Sequence, residues 1–244
     1  MQLTQINNQL TIKLFDSRDE LFQSVALDIE SHLRHSLTQY GTASFIIPGG
    51  TTPGPAFQSL SNADLDWGNV TIAQSDERWL DSSHQQSNQK LTEKTLLINH
   101  ASNANYVAMK NNSASAKNGL NQCNHDYQAM LAPFSVTMLG MGLDGHFASL
   151  FPGSDHIKEG LDSENLNLCI DIDASGCSVA GDYTERMSLT LSGILNSQTI
   201  ILLITGQEKL RLIQSKLKAE TDLNFPISYL LNQTTSPVSI YWAD

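Results

Sequence analysis

The 244-residue chain has only three cysteines, Cys123, Cys169 and Cys177, and no C-x-x-C pair. An odd, scattered set of this kind argues against a disulfide framework or a zinc site and predicts reduced thiols in a cytoplasmic protein. Long hydrophobic runs are missing too. No stretch reaches about 18 consecutive apolar residues, so no membrane span and no membrane partner are expected. The opening "MQLTQINNQLTIKLF" has no basic region followed by an apolar stretch, the pattern of a secretory signal. Positive charge is scarce: 14 Lys and Arg stand against 25 Asp and Glu, a formal net charge of −11. Nucleic acid is therefore not an expected partner, because it would need a basic face. The same scarcity means that an anionic ligand would have to be held by a few specific cations. The phosphate-loop pattern G-x-x-x-x-G-K-[ST] and the G-x-S-x-G elbow of serine hydrolases are also absent.

What is present alternates between apolar runs and helical patterns. Strands are predicted at 10–15, 43–47, 70–75, 106–109, 135–139, 166–172, 199–205 and 238–242, and helices at 17–37, 88–98, 114–131, 207–219 and 226–231, with a short one after the Gly-Gly-Thr-Thr-Pro turn. Ser17 with Glu20 three residues on resembles a capping box at the start of the long first helix. Strands spaced by helices imply crossovers, hence an α/β fold with a mostly parallel sheet covered on both faces. No repeat or linker divides the chain, so a single domain over 1–244 is expected. Ligands of such sheets sit at the C-terminal ends of the strands.

Four places there carry candidate chemistry. After strand 43–47 come Gly49, Gly50, Thr51 and Thr52, then Pro53, which suits a first helical turn because its missing N–H is not needed. Paired glycines let backbone amides approach a ligand, which makes this a candidate phosphate cradle or, on turn chemistry alone, a tight threonine-capped bend. After strand 70–75 come Asp76, Glu77 and Arg78; Arg78 is suited to bidentate contact with an oxyanion, although a solvated turn reads equally well. Arg186, in "TERMSLTLSGILNS", and Lys209, in "LLITGQEKL", are each ordinary surface charges alone but would complete an anion site with Arg78.

The fourth stretch is "LGMGLDGHFASLFPG" (139–153), in which Gly140, Gly142 and Gly145 spell G-x-G-x-x-G. That spacing matches a dinucleotide turn, but Asp144 would face the pyrophosphate, and Pro152-Gly153 leaves little room for the helix such a turn needs. The competing reading makes His146 a base, since an imidazole can take a proton from water near neutral pH, with Asp144 orienting it. Ser75 and Ser149 read as hydrogen-bonding bystanders, the remaining histidines as surface residues, and Trp67, Trp79 and Trp242 as packing.

Together "PGGTTP", "SDERW", "LGMGLDGHFASLFPG", "ERMSLTL" and "TGQEK" resemble, in order, the 6-phosphogluconolactonase family, within the group that also holds glucosamine-6-phosphate deaminases. The resemblance implies a one-domain Rossmann-like fold and hydrolysis of 6-phosphogluconolactone in the oxidative pentose phosphate pathway, without cofactor or metal. It implies His146 as general base, Asp76 and Asp144 as acidic residues of the site, and Gly50, Thr51, Arg78, Arg186 and Lys209 as contacts to the substrate or its phosphate. Deaminases of the group carry a glutamate five positions beyond the histidine, where this chain has Phe151, which favours the lactonase. The expected partner is thus a phosphorylated sugar lactone, and the expected state a monomer or weak homo-oligomer. A deaminase and a non-catalytic sugar-phosphate-binding protein are the alternatives.

Overall fold

The structure, a computed structural model, describes residues 1–130, 132–217 and 219–244. The predicted end of one helix at Leu131, and Lys218 within another, lie outside the described residues. The chain opens with β1 (Gln2–Gln5), β2 (Leu10–Leu14), α1 (Arg18–Tyr40), β3 (Ala43–Ile47) and α2 (Gly54–Leu60). It continues through β4 (Val70–Gln74), β5 (Asp76–Arg78), α3 (Asn88–Thr95), β6 (Asn105–Val107), α4 (Ala116–Gln128) and β7 (Val136–Leu139). Then follow α5 (Ile157–Gly160), β8 (Cys169–Asp173), β9 (Glu185–Leu189) and α6 (Leu191–Leu195). The last elements are β10 (Ile200–Thr205), α7 (Gln207–Lys216), α8 (Ile227–Asn232) and β11 (Val238–Ala243).

The long helix α1 forms where the sequence places its signals. Ser17 caps it, its hydroxyl accepting from the Glu20 amide at 3.3 Å. Leu21, Val25, Ile29 and Leu33 recur every four residues and are all buried. Gly41, at φ +75°, ends it by returning its N–H to the Leu37 carbonyl.

Eight strands form the central sheet in the order β1-β2-β11-β10-β7-β3-β4-β6, parallel except for β1 against β2. Strand side chains alternate between two cores, as the period of two requires. Phe45, Ile47, Ile201, Leu203 and Tyr241 face α1 and α2. Ile46, Leu202, Ile204, Ile240 and Trp242 face the layer that holds α4, α6, α7 and α8. The predicted parallel α/β sheet covered on both faces is therefore present.

One expectation is corrected. The strand expected at 166–172 is β8, which lies outside the central sheet, in a second antiparallel sheet ordered β5-β9-β8. Parallel pairing needs a crossover of a dozen or more residues, usually helical, and β8 and β9 are joined only by a loop with a single 3₁₀ turn. The two sheets meet at Ser75. Its N–H donates to the Ile47 carbonyl at 2.7 Å, and its own carbonyl accepts from the Leu189 N–H at 2.8 Å.

Candidate active site

The strands β10, β7, β3 and β4 are adjacent and parallel, so their C-terminal ends reach one edge together. The segments that leave them carry the residues singled out in the sequence except Arg186, which lies on β9 of the small sheet. Between them and the small sheet lies a cleft of about 260 Å³. Gly49, Gly50, Thr52, Asp76, Arg78, His146, Arg186 and Lys209 all line it. Thr51 is exposed on the turn and is not part of the wall, and Asp144 reaches the cleft only through His146.

His146 and Asp144 are built by the glycines around them. Asp144 Oδ1 lies 2.6 Å from His146 Nδ1 and also accepts the His146 backbone N–H at 3.3 Å. A Cβ on Gly142 would fall 2.3 Å from the imidazole Cε1 and 2.4 Å from Asp144 Oδ1, so only glycine lets this pair form. Gly145, at φ +80°, makes the tight return between them. Burial raises the Asp144 pKa, but the hydrogen bonds and charge of His146 outweigh it and hold the carboxyl below its ordinary range. Its other oxygen is buried with no hydrogen-bond partner among the described residues, so the carboxylate's hydrogen bonds run through Oδ1 to His146. A carboxylate only accepts, so Nδ1 carries the proton it shares with Asp144, and in the neutral imidazole the lone pair is then on Nε2. After the loop comes the four-residue helix α5, not a long one, which explains why this glycine run makes no dinucleotide turn.

The small sheet supplies the opposite wall. Asp76 pairs with Ser188 and Arg78 with Arg186, so these four residues share one face. Two arginines directly opposed repel one another. Asp76, with Oδ2 4.0 Å from Arg186 Nη1, offsets part of that cost. Arg186 is partly committed: its Nε donates to the Tyr183 carbonyl at 2.7 Å and its Nη2 to that of Ala180 at 2.8 Å. Burial lowers its pKa, with Asp76 opposing. Arg78 Nη1 donates to the Gln86 carbonyl at 2.8 Å and to Asn88 Oδ1 at 3.1 Å. Lys209 differs from both. It sits half-buried in the first turn of α7, burial lowers its pKa, and it has no hydrogen bond or ion pair among the described residues. The Trp242 indole N–H steadies the start of that helix, donating to the Gly206 carbonyl at 2.9 Å.

Two residues that the sequence did not single out hold this wall. Glu77 is buried and accepts five hydrogen bonds, from the amides of Arg78, Asn88 and Gln89, from the Gln74 carboxamide and from the Ser87 hydroxyl. It ties β5 to the start of α3, where a carboxylate is favoured. Asn88 donates to the Asp76 carbonyl at 2.9 Å while accepting from Arg78. A Cβ on Gly49 would lie 2.4 Å from that carboxamide, so the glycine turn and Asn88 are packed as one unit. The signal for Asn88 in the sequence was only its place at the start of a helix.

An open, mostly parallel sheet that gathers a histidine–aspartate pair, a glycine turn and a lysine unpaired among the described residues at one edge defines a Rossmann-like protein with its cleft at the C-terminal ends of the strands. The family of glucosamine-6-phosphate isomerases and 6-phosphogluconolactonases matches residues 16–242, and the chain belongs to it. The 6-phosphogluconolactonase of Xylella fastidiosa (strain 9a5c) is 33% identical over 237 residues, covering 96% of each chain. That of Rhizobium meliloti (strain 1021) is 32% identical over 230 residues, 94% of this chain and 97% of its own. The crystal structure of a 6-phosphogluconolactonase from Shewanella baltica OS155 superposes with a TM-score of 0.91 at 33% identity, covering 99% of this chain and 100% of that one.

Proposed function

We propose that the protein hydrolyses 6-phospho-D-glucono-1,5-lactone to 6-phospho-D-gluconate, in the cytoplasm and as a step of the oxidative pentose phosphate pathway. The names of its relatives support the lactone as substrate. The observation that carries the reading is the Asp144–His146 pair, 2.6 Å apart, in one cleft with the Gly49–Thr52 turn and Lys209.

In this reading the phosphate docks on the turn and on Lys209, with Arg78 at the rim. Anchoring the distant phosphate places C1 of the lactone before His146, so that binding far from the reaction becomes alignment at the carbonyl. Asp76, a fixed acceptor in the opposite wall, takes a hydrogen bond from a ring hydroxyl and sets which face of C1 is presented. His146 Nε2 removes a proton from water as the water oxygen bonds to C1. Backbone amides of the glycine-rich loop stabilise the oxyanion. The C1–ring oxygen bond then breaks, and His146 returns the proton to the departing oxygen. Asp144 keeps the tautomer correct and stabilises the transient imidazolium.

Phe151 favours this reaction over deamination. Its ring lies 4.4 Å from the His146 ring, where a deaminase needs a carboxylate to move protons between ring oxygen and adjacent carbons. The test is acid release from freshly made lactone, with spontaneous hydrolysis subtracted. Enzyme-dependent release that requires the phosphate is expected. Equal rates with and without the phosphate, or ammonia release from glucosamine 6-phosphate, would overturn the proposal.

A further inference from the structure

We propose that Ser149 is a positioning residue that sets the His146 loop against Asp76. The inference rests on the lactonase reading and adds to it a residue that touches neither substrate nor water. Ser149 lies three positions beyond His146, and its side chain is fully buried. Its hydroxyl donates to Asp76 Oδ2 at 2.6 Å, in the short range of bonds to a carboxylate. Its backbone N–H donates to Ser188 Oγ at 3.1 Å. Asp76 and Ser188 are the two members of one cross-strand pair, so a single residue of the histidine loop is bonded to both.

The proton directions are fixed as well. The Ser188 hydroxyl donates to the Leu189 carbonyl at 2.9 Å, which leaves its lone pairs to accept from Ser149. A serine has one hydroxyl proton, and Ser149 gives it to Asp76. The other Asp76 oxygen accepts from the Ser75 hydroxyl at 3.3 Å, a longer bond. Ser149 is therefore the shorter of the two hydroxyl bonds that orient this carboxylate in the cleft wall.

The backbone points the same way. Ala148, between Ser149 and the buried Phe147, lines the cleft at φ +48°, a left-handed conformation that costs a non-glycine residue about 1 kcal/mol or more. Such a conformation persists where its neighbours are over-determined, and both neighbours of Ala148 are completely buried. The short path from His146 to Asp76 thus runs through a strained residue held in place by Ser149.

Steady-state kinetics of Ser149→Ala, Asp76→Asn and the double variant test the assignment. Ser149→Ala is expected to lower kcat roughly tenfold, the scale of a small misalignment at the reacting centre. KM should stay near the wild-type value, because the turn and Lys209 are untouched. The double variant is expected to turn over no more slowly than Asp76→Asn alone, because Ser149 acts through that carboxylate. Wild-type kcat in Ser149→Ala, or losses that multiply in the double variant, would overturn the assignment. Should the alanine variant lose its thermal transition, Ser149→Cys keeps the volume but donates weakly. Wild-type kcat in that variant would equally overturn it. A wild-type chain with no lactonase activity would instead refute the reading on which the inference rests.

Discussion

Lys209 is distinguished from the other cations of the cleft by what it lacks. Both arginines donate to loop carbonyls, whereas the lysine is half-buried without a partner among the described residues. A desolvated, unpaired ammonium is costly until an anion arrives. Lys209→Ala should therefore weaken phosphate-dependent binding by roughly 2 kcal/mol, the scale of a charge-assisted hydrogen bond. Kinetics on phosphorylated and unphosphorylated lactone check this. KM should rise for the first and not for the second. The sequence placed Arg78, Arg186 and Lys209 together as one set of cations but carried no sign of which were already committed. The carbonyls that engage Arg186 belong to Ala180 and Tyr183, in a loop whose path no periodicity describes.

At the scale of elements, the strand ends were legible and the small sheet was not. Each central strand is a short apolar run followed by glycine or by charge, and those signals survive without tertiary context. The segment Arg186–Leu189 alternates polar and apolar residues like a half-buried strand, but Arg186 lines the cleft, Ser188 is fully buried, and the strand's partners are only three and five residues long. Glu77 shows the same limit. Beside Asp76 and Arg78 it reads as a third charge on a turn, yet alternation sends it to the opposite face, where it receives the amides that open α3. Glu77→Ala is expected to cost at least about 3 kcal/mol, since it leaves several buried donors unsatisfied. Urea unfolding with unchanged m-value would measure it. Gly49→Ala drives a methyl group to 2.4 Å from the Asn88 carboxamide, which holds Arg78 and the Asp76 carbonyl. At least a tenfold loss of affinity for 6-phosphogluconate is expected, on the scale of one displaced charge-assisted contact, and titration calorimetry would detect it.

For the molecule as a whole, the fold follows from alternation along buried strands, while stability and the proposed catalysis meet at one carboxylate. Asp144 is held below its ordinary range by His146, so it contributes stability above its unfolded value near ~4 and loses that contribution as pH falls through the folded value. Thermal melts of Asp144→Asn should therefore start lower at pH 7 and fall less steeply below about pH 4, converging with wild type at the acid end. With a net charge of −11 on the chain, the proposed anion capture depends on the local cations rather than on the field of the protein.

The whole reading converges on the imidazole between Asp144 and the cleft, and one rate tests it. With spontaneous opening of fresh 6-phosphogluconolactone subtracted, His146→Gln should show kcat at least about 100-fold below wild type. Its affinity for 6-phosphogluconate should be nearly unchanged, because the Gly49–Thr52 turn and Lys209 remain. A His146→Gln variant that opens the lactone at close to the wild-type rate would contradict the assignment of this histidine as the base.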